Sequence, residues 1–455
     1  MSAETNPMKY VSICGMLGYG YPLTSLERGL DENPAFVGAD NGSTDPGPYY
    51  LGSGTSFVKE LQIKRDLEPA LIASRKRNIP LIVGTAGGSG AKAHIDFFVD
   101  ILLELARKNR LHFKLAVIYA DLEKEIAADA LANGEISSCG PVHKLTRELI
   151  DNSENLVGQM GTEPIINALQ SGADVVVAGR CCDTAIFASL PILKGYNSGL
   201  ALHSAKIAEC GALCAIPAGA NDSLIVELHK DCFIVTPANE QRKCTPQSVA
   251  GHSLYEQPNP DCFIEPEGKV DMTDSTFEAV GDRSVKVSGT KLIVGTKRTI
   301  KLEAAQLKGY RTITIAGVSD PAAIENIDLI IEQVKKRVAE NLQGTLEKED
   351  YKLCFRRYGL DAVTIKSGDK RLPREIGILI EAVAASQELA DTVLSLARST
   401  ALHQDFAGRK ATAGNLAFPF SPSDFQGGPA YEFSVYHLME TQSESALFPV
   451  ELREV

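Results

Sequence analysis

The chain has 455 residues, 44% of them hydrophobic and 23% charged, with a formal net charge of −12. That is enough material for a large core in two or three domains. The acidic balance argues against a nucleic-acid backbone as partner, which needs a basic face. No run of 18 apolar residues occurs, so no membrane-spanning helix is expected. The opening MSAETNPMKY lacks the basic and apolar regions of a secretory signal, and none of the ten cysteines forms a Cys-x-x-Cys pair. A cytoplasmic protein with reduced thiols is expected, and zinc or iron–sulfur ligation has no spacing to support it.

In chain order, "KYVSICGMLGYG" is an apolar run ending in glycines, and "AFVGAD" ends at Asp40. "IPLIVGTAGGSG" reads as a strand into a glycine-rich turn, and "KAHIDFFVDILLELARKN" follows with helical periodicity. "HFKLAVIYAD" is a strand, "TEPIINALQSG" a helix closed by glycine, and "ADVVVAGRCCD" a further strand. Near-continuous Val/Ile/Leu strands between helices predict a Rossmann-like layer with a mostly parallel sheet, over residues 1–290. Ligands of such sheets gather beyond the carboxyl ends of the strands. The loops "GYGYP", "ADNGSTDPGP", "GTAGGSGA", "YADLE" and "GRCCDT" are therefore expected at one rim.

From about residue 222 extended segments dominate, among them "SLIVELHKDCFIV" and "SVKVSGTKLIVGTKRTIKLE". "YRTITIAGVSD", the helix "PAAIENIDLIIEQVKKRVAENL", "YKLCFRRYG", "REIGILIEAVAAS" and the helix "QELADTVLSLARSTAL" follow in β-α-β-β-α order. This predicts an α+β, ferredoxin-like domain over 291–455, with a C-terminal tail packing back on the body.

Four loops carry groups suited to chemistry. Gly84, Thr85, Gly87, Gly88, Ser89 and Gly90 precede a helix, and glycines there let backbone N–H groups approach an anion. No Gly-Lys-Ser/Thr closes the turn and no acidic residue is placed for a ribose, so neither nucleotide fingerprint is met. "GADNGSTDPGPYYLGSG", from Gly38, holds Asp40 and Asp45 around Ser43 and Thr44. One aspartate is what any turn uses; two in unlike settings can divide into an acid and a base, or hold a divalent metal. "GRCCDT" offers Arg180 for a carboxylate and Asp183 as a further acid, with a loop brace between them as the plain alternative. Glu163 opens a helix, where it complements the dipole, and His203 shares a helix face with Lys206 and Cys210. His252, Tyr255, Glu256, Lys301, Glu303 and Arg311 are polar positions of low individual specificity. No Gly-x-Ser-x-Gly or His-Glu-x-x-His pattern occurs.

Taken together, "GADNGSTDPGPYYLGSG", "RDLEPAL", "IPLIVGTAGGSGA", "QMGTEPIINAL", "GADVVVAGRCCDTAIFASLPI", "CTPQSVAGHSLYE" and "PFSPSDF…GPAYEFSVYH" resemble the acyclic terpene utilisation (AtuA) family, from about residue 10 to about residue 440. The resemblance implies a role in breaking down branched acids as coenzyme A thioesters, and a small companion subunit in a homo- or hetero-oligomer. The expected function is that of a lyase, hydratase or isomerase acting on a small carboxylate or its acyl-CoA thioester. Asp40, Asp45 and Asp183 would be its acid/base groups, with Glu163 or His203 assisting. Ser43, Thr44, Arg180 and the turn at Gly84–Gly90 would hold the anion. No resident cofactor is required by this reading. A non-catalytic ligand-binding or assembly subunit and a nucleotide-dependent oxidoreductase are the alternatives.

Overall fold

The computed structural model describes residues 7–363, 372–410 and 414–455. Residues 1–6, most of the segment read as lacking a signal, lie outside them. The chain forms two compact units: one of Met1–Gln306 with Phe433–Val455, the other of Leu307–Glu432.

The first unit is built on a ten-stranded sheet. Its centre is parallel, in the order Met8–Ser12, Val37–Asp40, Leu81–Gly84, Val175–Ala178, Lys114–Ile118. The four inner runs are buried on both faces, which explains their unbroken apolar character. One face is covered by Leu23–Asp31, Glu60–Arg77 and Lys92–Asn109 through Leu26, Leu67, Leu71, Phe98, Leu102 and Leu105. Each such side chain contributes about 1.5–3 kcal/mol on leaving water. The other face carries Asp183–Leu193, whose Ile186 and Phe187 lie so close to Gly38 that a Cβ there would come within 2.9 Å of the Phe187 ring.

The sheet as a whole is mixed, which corrects the mostly parallel expectation. Leu224–Leu228, Cys232–Pro237, Ser284–Ser288 and Thr276–Val280 extend it antiparallel on one side. Val450–Glu454 closes the other edge antiparallel to Lys114–Ile118. Two of these flanking pairs, Leu224–Leu228 with Cys232–Pro237 and Thr276–Val280 with Ser284–Ser288, are joined by short turns, and such turns reverse the chain direction. Beside the sheet, Lys301–Ala305 pairs with Glu154–Gln159, which brings Glu303 beneath the loops at the rim.

In the second unit, strands run in the order Tyr351–Tyr358, Ile376–Ala384, Arg298–Val318 (its part from Tyr310), Asp424–Thr441 (its part to Glu432). The helix read at 321–342 is two helices, Pro321–Glu325 and Ile327–Leu342, broken at Asn326, where ψ is 11°. Ile330, Val334 and Val338 of the longer helix meet Val393, Leu394 and Ala397 of Gln387–His403 over Ile378 and Ile380. Among the described residues no helix is long and apolar enough to cross a membrane.

Candidate functional site

At the carboxyl rim of the parallel strands, four loops are stitched together by backbone groups and two side chains. Asn41, which directly follows the strand ending at Asp40, is fully buried. Its N–H donates to the Gly84 carbonyl at 3.0 Å, its Nδ2 to the Leu17 carbonyl at 2.8 Å, and its Oδ1 accepts from Gly87 N–H at 2.7 Å. Arg180 N–H donates to the Gly90 carbonyl at 3.1 Å, and Ser89 Oγ to the Ser43 carbonyl at 3.3 Å. Glycine is required where the loops touch: a Cβ on Gly42 would stand 1.6 Å from the Gly88 carbonyl oxygen. Gly42→Ala must therefore push two loops apart. A loss of about 1–3 kcal/mol is expected, read as a lowered urea midpoint. Thr85 adopts φ 41°, an uncommon strained geometry for a β-branched residue, and such outliers gather at functional sites.

The charged groups lie around this stitching. Asp40 is 4% exposed, and its Oδ1 has no hydrogen-bond partner. Burial, then the neighbouring Asp183 carboxylate, push its pKa well above the ordinary range, against Arg180 and the N–H groups of Asn41 and Gly42. Asp183 opens the helix Asp183–Leu193, keeps some exposed surface, and also has a buried Oδ1 without a partner. Burial raises its pKa, while Arg180 and Lys206 pull it down and Glu256 and Asp45 push it up.

Arg180 Nε donates to Glu303 Oε2 at 2.6 Å, and Thr44 Oγ1 donates to Glu303 Oε1 at 2.9 Å. Lys301 Nζ stands 3.0 Å from the same carboxylate. Burial alone would raise the pKa of Glu303, but Arg180 and Lys301 outweigh it and hold it at about 2. Lys206 is 5% exposed and pairs with Glu209 at 2.5 Å. Burial works against its charge, but Glu209 and Asp183 keep it an ammonium. The arrangement is thus two carboxyls of raised pKa, each with a free buried oxygen, between two cationic centres.

The other residues singled out in the sequence have their own surroundings. Asp45 is exposed and accepts from Ser43 Oγ at 2.7 Å, the bond of a local turn. Glu163 is held by Arg298, Ser443 and Ser445, away from the Asp40–Asp183 pair in its bonding. His203 is fully buried between Thr290 Oγ1 at 2.6 Å and Ser253 Oγ at 2.9 Å, and burial lowers its pKa to about 3, which keeps it neutral. In the glycine-rich turn, the N–H groups of Thr85, Ala86, Gly87 and Ala91 all donate to protein acceptors. Those of Thr85, Ala86 and Gly87 tie the turn to neighbouring segments, and the cationic side chains nearest the acids are Arg180 and Lys206. Among the described residues no group of three or more His, Cys, Asp or Glu could hold a metal ion. Asp40 and Asp45 therefore gain no third ligand of those types there.

Asn41 carried no signal in the sequence beyond being an ordinary turn residue. Lys206 stood out only for the helix face it shares with His203, and Lys301 and Glu303 only as polar residues in ordered, apolar segments. That pattern, a charge where the periodicity demands burial, is the signal that could have joined them to the site.

No curated protein and no solved structure matches the chain. The family model described as "Acyclic terpene utilisation family protein AtuA" matches residues 57–419. That stretch contains the glycine-rich turn, Arg180, Asp183, Lys206 and Glu303, and the chain belongs to the acyclic terpene utilisation family, AtuA.

Proposed function

We propose that the protein is an enzyme of the lyase, hydro-lyase or isomerase class, acting by proton transfer on a small carboxylate or its coenzyme A thioester. The observation that carries this is the Asp40–Asp183 pair, each with one buried, unpartnered carboxyl oxygen, framed by Arg180 and Lys206. Membership of a family named for acyclic terpene utilisation agrees with a catabolic role.

The two acids differ in a way that assigns their roles. Asp40 is the more deeply buried and its pKa is pushed well above the ordinary carboxylate range, a shift toward the protonated form that suits a general acid. Asp183 sits at a helix N-terminus between two cations, all of which favour its carboxylate, and it is the one open to solvent. Asp183 as base would take a proton from carbon next to the substrate carbonyl. Asp40 as acid would deliver one to the departing hydroxyl or to the carbonyl oxygen. Lys206 would hold the substrate carboxylate.

The fold supports a matching reading of the scaffold. A parallel centre with helices on both faces is what a Rossmann-like layer requires, and the β-α-β-β-α-β order of the second unit is that of a ferredoxin-like domain.

The test is to incubate the purified protein with panels of carboxylates and acyl-CoA thioesters in deuterium oxide and to follow substrate mass. Deuterium incorporation at carbon, or gain or loss of water, is expected for at least one compound. Ligands that bind with no exchange and no mass change in any combination would make this a binding subunit instead.

A further inference from the structure

Glu256 is a glutamate in left-handed backbone, with φ 60°. A side chain other than glycine or asparagine is disfavoured there by about 1–2 kcal/mol. The residue starts the segment Glu-Gln-Pro-Asn-Pro, most of which is exposed. Its own side chain is half exposed, yet its Oε2 reaches to 3.9 Å from the buried Nζ of Lys206. Lys206 already has a closer partner in Glu209, at 2.5 Å. The Tyr255 ring centroid lies 5.8 Å from Nζ, and that ring stacks on His252 at 5.4 Å. A strained loop therefore places a second carboxylate at an already paired lysine, near enough to Asp183 to push up its pKa.

We infer that Glu256 is a displaceable internal counter-ion: it occupies the place at Lys206 that a substrate carboxylate takes, and swings out when an anionic substrate enters. Lys206 is then the group that selects for a carboxylate, and Glu256 the group that sets how tightly one is held. The inference rests on the reading of Asp183 as a reacting group beside Lys206. Two features favour exchange. The separation of 3.9 Å is long for an ion pair, and the glutamate is half solvated. A carboxylate arriving while Glu256 stayed would face Asp183, Asp45 and Glu256 together. Removing one of the three lowers that repulsion.

The experiment is calorimetric titration of the full chain with glutarate, with its dimethyl ester as the uncharged control. Glutarate is expected to bind and the diester not to. Glu256→Gln, at an exposed position that does not endanger folding, is expected to tighten glutarate about fivefold, the scale of one weak ion pair. Amide hydrogen exchange over residues 254–260 should quicken on binding to the wild type, because the loop loses its anchor. Lys206→Met should abolish binding in both backgrounds. Equal or weaker affinity in Glu256→Gln, or no glutarate binding to either protein, would overturn the inference. Tightening without turnover on any panel compound would sink the proton-transfer reading and leave the displacement standing. Turnover with affinity and KM unmoved by Glu256→Gln would do the reverse.

Discussion

Asp40→Asn is expected to lower turnover by about 10²–10⁴-fold while leaving the protein folded. The expectation follows from the state of the side chain. Asp40 is almost wholly buried, and burial together with Asp183 raises its pKa well above the ordinary carboxylate range, which favours the protonated form. Against that form an amide of the same shape introduces no charge and removes none. What it removes is a proton that can be given up. Asp183→Asn should fall by a similar factor for the complementary reason, since an amide cannot accept the substrate proton. The two losses should be far from additive, because acid and base serve one step. Circular dichroism and the unfolding midpoint check the fold, and the deuterium assay checks the chemistry. Full exchange activity in Asp40→Asn would remove that residue from the mechanism.

The second large effect is on stability. Glu303→Gln leaves Arg180 and Lys301 buried without their shared carboxylate, at a cost expected to be about 3–5 kcal/mol. The pKa of Glu303 gives the same scale. It lies at about 2 in the folded chain, against an ordinary 4.5, and that difference corresponds to about 3 kcal/mol. Because the folded pKa is depressed, this contribution is present above pH 4.5 and is lost as pH falls from there through 2. Wild-type stability should drop across that window, and Glu303→Gln should drop less. The chain has no tryptophan, so far-ultraviolet circular dichroism in urea is the convenient probe, with the two compact units expected to unfold in separate steps. Replacing Arg180 as well, for instance Arg180→Met with Glu303→Leu, should recover part of the loss, since Lys301 is then the one cation of the pair left without its carboxylate. An unchanged midpoint in Glu303→Gln would show that water reaches these groups.

Much of the scaffold was legible because it rests on local chemistry. The run "KAHIDFFVDILLELARKN" is helical over Lys92–Asn109, as its apolar spacing requires. The four-residue runs at Val37, Leu81 and Val175 are strands buried on both faces, as their lack of alternation requires. The break at Asn326 was not legible, because Pro321–Leu342 keeps a continuous helical pattern across it. A C-terminal tail packing back on the body was expected, but the point of return at Phe433 was not legible, since the strand Asp424–Thr441 runs on without a local marker there.

The candidate site divides along the same line. Residues on one loop at a strand's carboxyl end, such as Asp40, Arg180 and Asp183, could be grouped by position in the chain, because parallel strands deliver their loops to a common rim. Glu303 and Lys301 meet them across more than a hundred residues of sequence, through a strand pairing with Glu154–Gln159. Lys206 and Glu256 meet across a helix and a loop. Burial, charge pairing and the resulting shifts in acidity depend on distance in space and on exclusion of water, and neither is encoded in residue order. Composition and periodicity set what each segment becomes; which carboxyl keeps its proton depends on which distant segments fold around it.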